Sequence, residues 1–178
     1  MQQEPISGSI LAPPADGRDG RGPEWEARAR QLAGQGDRDT TVHSGLLING
    51  ATLRPPLVLI VEDEPNNQAI LQTVVEDFIG ARTVLADDGQ QALHAVERER
   101  PDLIILDLMM PVLDGFAVAQ RLKGDPATAM IPIIALTAMA RQQDEEAALE
   151  AGCDVFVAKP FDLEVMELVI RARLASQA

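Results

Sequence analysis

From residue 57 onward the chain alternates short β-rich runs with longer segments of helical period, and this alternation constrains the fold more than any other feature of the sequence. The runs are LVLIV (57–61), RTVLA (82–86), LIIL (103–106), PIIAL (132–136) and DVFVA (154–158). Most are near-continuous in Val, Ile and Leu, the pattern of strands covered on both faces rather than exposed on one. Between them, Ile70, Leu71, Val74, Val75, Phe78 and Ile79 mark one face of a first helix closed by Gly80. Ala92, Leu93 and Val96 mark a second, stopped before Pro101. Asp114 is an N-cap for a third helix reaching Gly124, residues 140–151 form a fourth ending at Gly152, and Asp162 caps a fifth running to about Ala175. Strands alternating with helices require right-handed crossovers. The expected fold is therefore α/β, a doubly wound parallel sheet of five strands with five helices on its faces.

Composition fits such a sheet. The chain is 46% hydrophobic but only 3% aromatic, with no Tyr, so its core is built from Leu, Ile, Val and Ala. Residues 1–54 read differently: SGSILAPPADGRDGRGPE and AGQGDRD are rich in Gly, Pro and Asp and hold no sustained apolar period. This segment is expected to be a disordered N-terminal tail, with EWEARARQLAG as a short helix carrying Trp25 and Leu32. The tail holds 6 Lys/Arg against 7 Asp/Glu and residues 55–178 hold 9 against 21, so nearly all of the net charge of −13 belongs to the folded part. A surface that acidic repels phosphate backbones, which argues against direct nucleic-acid binding. The chain holds no run of about 18 apolar residues such as would span a membrane. Residues 1–20 lack the basic start and apolar middle of a signal peptide, so the expected setting is cytoplasmic. Cys153 has no second cysteine to pair with and reads as a small buried residue. His94 reads as a surface side chain, and neither it nor His43 has metal-ligand company.

In open sheets of this kind, sites form beyond the carboxyl ends of the strands. Here the first strand ends in Glu62, Asp63 and Glu64, the third in Asp107, the fourth in Thr137 and the fifth in Lys159. If the strands carrying Asp63 and Asp107 are neighbours, two carboxylates about 4 Å apart repel by roughly 4 kcal/mol at an effective dielectric of about 20. A hard divalent cation offsets that repulsion, and carboxylate oxygens with a backbone carbonyl and waters suit octahedral Mg²⁺. Lys159 adds a fixed positive charge and Thr137 a hydroxyl donor. The set reads as a phosphate site with Asp107 as its nucleophile. Asp87, Asp88 and Asp114 read instead as helix caps.

Taken together, LVLIVEDE, LIILDLMMPVLDG, IPIIALTA and DVFVAKPF resemble the receiver domain of two-component response regulators, over about residues 55–178. The resemblance implies a flavodoxin-like strand order 2-1-3-4-5 and phosphorylation of Asp107 by a histidine kinase, a histidine phosphotransfer protein or a small phosphodonor. It implies Mg²⁺ held by Asp63, Asp107 and the backbone carbonyl of Met109, with Glu62 acting through water. Thr137 and Lys159 would contact the phosphoryl group, and Phe156 would occupy the aromatic switch position, moving into space that Thr137 vacates. It also implies a cis Lys159–Pro160 bond. Asn67, within DEPNNQ, resembles the receivers of hybrid kinases and stand-alone regulators. Because the sequence stops at Ala178, just past the fifth helix, the expectation is a single-domain response regulator acting on a downstream protein target. It would catalyse only its own phosphorylation and dephosphorylation. Met109 and Met139 would border the path of the hydrolytic water. Two other classes compete: a phosphorylation-independent scaffold, and a Mg²⁺-dependent phosphatase with an aspartyl nucleophile. The latter would carry a second Asp two residues after the nucleophile, where this chain has Met109.

Overall fold

The structure, a computed structural model, describes residues 47–48, 51–52, 54–138 and 142–176. Five strands, β1 (Leu57–Val61), β2 (Arg82–Ala86), β3 (Leu103–Asp107), β4 (Ile133–Thr137) and β5 (Val155–Ala158), form one parallel sheet. Their order is β2-β1-β3-β4-β5. Helices α1 (Pro65–Thr73), α2 (Gly89–Arg98), α3 (Gly115–Gly124), α4 (Gln142–Glu150) and α5 (Leu163–Ala175) connect and follow them. The expected α/β fold, order and helix count are all present. No helix among the described residues is long and apolar enough to cross a membrane.

The sheet separates two cores, which explains why its strands read as unbroken apolar runs. Leu59, Val61, Ile104, Leu106, Ile133 and Ala135 face one side, where Ala92, Val96, Val118, Ala119, Leu122 and Ala148 of α2, α3 and α4 cover them. Val58, Ile60, Leu103, Ile105, Ile134 and Leu136 face the other, against Leu71 of α1, Val74 and Val75 just beyond it, and Met166, Val169 and Ile170 of α5. Alternation along β1 from Val58, and along β3 and β4 up to their polar last residues, therefore puts an apolar residue into one core or the other at each position.

Three expectations change. RTVLA lies at one edge of the sheet, as the expected order implies, but is only partly covered rather than covered on both faces, with Leu85 and Arg82 exposed. The first helix does not stay regular: after Thr73 the chain widens into a π-helical stretch, Val74–Ile79, closed by Gly80 in the left-handed conformation at φ 75°. The wider turn advances the helical register, so Phe78 turns outward and is 47% exposed while Leu71, Val74 and Val75 remain buried. Ile70 lies at the margin of the apolar stripe and is also exposed. Within the segment read as a tail, Leu47–Ile48 and Ala51–Thr52 pair antiparallel, where no strand was expected. The rest of residues 1–53, including Trp25, Leu32 and His43, lies outside the described residues, as does Met139.

Candidate functional site

Register brings the chemistry together. Val61 pairs with Leu106, Asp107 with Leu136 and Thr137 with Ala158, so Glu62, Asp107, Thr137 and Lys159 emerge in a row at the carboxyl edge of β1, β3, β4 and β5. Thr137 is buried, and its carbonyl accepts from the backbone N–H of Lys159 at 2.7 Å, which fixes where that lysine leaves β5. The Lys159–Pro160 peptide is cis, as the resemblance implies.

Lys159 reaches back across the row. Its Nζ lies 2.6 Å from Oε2 of Glu62 and 2.6 Å from Oδ2 of Asp107. Glu62 is 1% exposed and Asp107 4%, so both acids opening on this edge are nearly out of water. Burial pulls the Lys159 ammonium down, but the hydrogen bonds and charges of Asp107 and Glu62 outweigh it and hold the group above its ordinary value. The second oxygen of Asp107, Oδ1, accepts from the Met109 backbone N–H at 2.8 Å, which fixes the plane of the carboxylate. Asp63 stands exposed beside them.

One carboxylate oxygen from each of Glu62, Asp63 and Asp107 lies within 4.8 Å of the other two, the only such acidic group among the described residues. Three carboxylates face a single ammonium. An all-oxygen, charge-rich set at that spacing fits a hard divalent cation.

Other residues hold this geometry. Glu64 caps α1, its carboxylate accepting from the backbone N–H of Asn66 and Asn67. Asn67 Nδ2 donates to Oε1 of Glu62 at 3.3 Å, and Gln68 Nε2 donates both to the Glu62 carbonyl at 3.2 Å and to Asp87 at 3.1 Å. Asp87 thus braces the site rather than capping a helix, whereas Asp88 and Asp114 do cap α2 and α3. Gly115 packs on the back of the nucleophile: a Cβ there would sit 2.3 Å from the Asp107 carbonyl oxygen. Between the two, Val112 holds the left-handed conformation at φ 72° with its side chain 84% exposed. Sequence reading passed over Gln68, Gly115 and Val112. Gly immediately after an N-cap, where no turn requires it, was the one available signal.

Phe156, expected at the aromatic switch position, lies on β5. Its ring is inside, 2% exposed, within the core beneath α2, α3 and α4. Met109 is exposed beside Asp107, and His94 is a surface residue. Cys153 is buried, and burial pushes its thiol up to about 12, so it stays protonated and inert.

A family model described as the response regulator receiver domain matches residues 58–171. The chain is 44% identical over 117 residues to a probable transcriptional regulator, ycf27, of Guillardia theta, a match covering 66% of this chain and 44% of that protein. It is 39% identical over 125 residues to a 14.6 kDa protein from the region 3′ of sodA1 in Leptolyngbya boryana, covering 70% of this chain and 95% of that one. The receiver domain of the sensor histidine kinase PA1611 from Pseudomonas aeruginosa, with a magnesium ion in its active site cleft, aligns with TM-score 0.63 and 35% identity over 68% of this chain and 99% of that domain. The match spans about half the length of the transcriptional regulators among these relatives.

Proposed function

Because the chain belongs to the response regulator receiver family, we propose that it is a phosphoryl-accepting switch in which Asp107 is the acceptor and a histidine kinase or histidine phosphotransfer protein is the donor. The observation that carries this reading is the Lys159 ammonium held 2.6 Å from both the Asp107 and Glu62 carboxylates at the ends of three strands.

Phosphoryl transfer needs alignment and charge more than covalent help from the protein. Asp107, its plane fixed by the Met109 N–H, attacks phosphorus in line while the bond from phosphorus to the donor breaks. Lys159 and the Thr137 hydroxyl then meet the phosphoryl oxygens. Asp63, Asp107 and the Met109 carbonyl would hold Mg²⁺, with Glu62 acting through water. When bound, the ion supplies positive charge where the transferring oxygens need it. The magnesium in the cleft of the Pseudomonas receiver supports that assignment.

The acyl phosphate is open to water, so the signal expires without a second enzyme, and the chain catalyses only its own phosphorylation and dephosphorylation. New charge-assisted bonds to the phosphoryl group bias a two-state element by a few kcal/mol at most. Thr137 drawn toward the phosphoryl group and Phe156 filling the space it leaves would be that element, and the face of α4, β5 and α5 would present the change to a downstream protein. The similarity to a 14.6 kDa relative over 95% of its length supports a stand-alone regulator, and a cytoplasmic setting is part of the same proposal. The strongly acidic receiver is proposed not to touch nucleic acid itself. A phosphatase reading is weaker, since Met109 offers no proton where the general acid would stand.

The test is phosphate uptake. Incubation with acetyl phosphate and Mg²⁺ should add one phosphoryl group by intact mass, and Asp107→Asn should abolish it. Uptake unchanged in Asp107→Asn would refute the assignment, and no uptake by wild type would favour the scaffold.

A further inference from the structure

The start of α1 carries a capping pattern with an unusual occupant. Glu64 is the N-cap and its carboxylate accepts the Asn67 N–H, three residues on, as in a capping box. In such a box the side chain at the third helical position reaches back to accept the N-cap N–H. Here that N–H, on Glu64, donates instead to Oε1 of Glu62 at 3.3 Å. The Asn67 side chain meets the same oxygen, donating from Nδ2 at 3.3 Å. With an acceptor already in place, the third position must be a donor. Asn satisfies that requirement, whereas the usual Glu, or an Asp, would oppose a buried carboxylate.

The consequence reaches the acceptor. Glu62 has two oxygens: Oε1 is held by Asn67 and Glu64, which leaves Oε2 to Lys159, and Lys159 divides itself between Glu62 and Asp107. We propose that Asn67 is a positioning residue for phosphorylation, fixing Glu62 so that Lys159 is shared with Asp107 rather than captured by Glu62. The inference rests on the reading of Asp107 as phosphoacceptor.

Three variants of the full chain separate positioning from helix support. Asn67→Gln keeps an amide donor. Asn67→Ala removes it. Asn67→Asp keeps the shape, removes the donor, and places a negative charge in the first turn, where a helix favours one. Initial rates of phosphate uptake from acetyl phosphate are measured at saturating Mg²⁺, alongside thermal midpoints. Positioning requires the rate to fall about tenfold in Asn67→Ala and at least as far in Asn67→Asp, the scale of one hydrogen bond to a charged group, with Asn67→Gln recovering much of it. If wild type takes up phosphate and the Ala and Asp variants stay within about twofold of it, Asn67 serves only the helix and the proposal is wrong. If wild type takes up none, it is the reading of Asp107 that fails.

Discussion

The two ends of the sheet each draw a lysine in among carboxylates and carbonyls, but they balance the charge differently. At the amino edge, Lys123 Nζ donates to Asp154 at 2.9 Å and to the carbonyls of Ala129 at 3.2 Å and Ile131 at 2.9 Å. Asp154 in turn accepts the Ile133 N–H at 2.8 Å. One ammonium meets one carboxylate, and all three of its protons are placed. At the carboxyl edge, one ammonium is divided between two buried carboxylates, with Asp63 as a third. The same ion-pair chemistry thus makes a finished staple at one end and an electrically unfinished site at the other. On the proposed function, the second is the edge that would use a divalent cation and cationic help to an incoming phosphoryl group.

The sharpest way to break this comparison is to remove each lysine. Lys159→Met strands Glu62 and Asp107, both buried, and should cost about 3–5 kcal/mol in urea unfolding without divalent ions. Mg²⁺ should return much of that loss. Lys123→Met leaves Asp154, which is partly exposed, and two carbonyls, so about 2–3 kcal/mol should go. Mg²⁺ should return none of it. Equal rescue of both variants, or of neither, would erase the distinction.

Backbone contacts sharpen it further. Gly115→Ala would push a Cβ to 2.3 Å from the Asp107 oxygen and 2.7 Å from Leu108 Cα, both main-chain atoms that cannot swing away. A loss of about 1–3 kcal/mol is expected, with a lower rate of phosphate uptake. A Cβ at Gly124 meets nothing within 4 Å, so Gly124→Ala should leave uptake unchanged. Val112 is β-branched in a left-handed conformation and exposed, so no burial offsets its strain, and Val112→Gly should raise stability by about 1 kcal/mol in thermal unfolding. The smallest effect lies on the alkaline limb. Because the folded Lys159 value is raised, its contribution is full below the unfolded value of about 10.4 and is lost as pH climbs through the higher folded one. A stability profile in Lys159→Met should lack that decline.

The sequence was most readable where period alone decides. The bounds of β1 and β2 coincide with the apolar runs at 57–61 and 82–86, and Gly80, Asp114 and Asp162 end or cap the helices expected of them. Glu62, Asp63, Asp107, Thr137 and Lys159 were legible because strand ends in such a sheet converge. Strand composition does not reveal lateral position, so the edge place of β2 was legible only through the resemblance, and its exposure at Arg82 and Leu85 only in the structure. A π-helical stretch leaves the apolar spacing nearly unchanged, which concealed the outward turn of Phe78. Lys123 and Asp154 are 31 residues apart and carry no local pattern. Asn67 could be noticed as a motif residue, but its bond to Glu62 depends on which proton donor was already spent.

The most direct test of the unfinished carboxyl edge is calorimetric titration of Mg²⁺ into the protein. One ion should bind per chain, Asp63→Asn should weaken it at least about tenfold, the scale of losing a charged ligand, and Lys123→Met should bind as wild type does. Absence of binding, or an affinity indifferent to Asp63→Asn, would contradict the claim that the excess carboxylate charge at this edge is there to hold a cation.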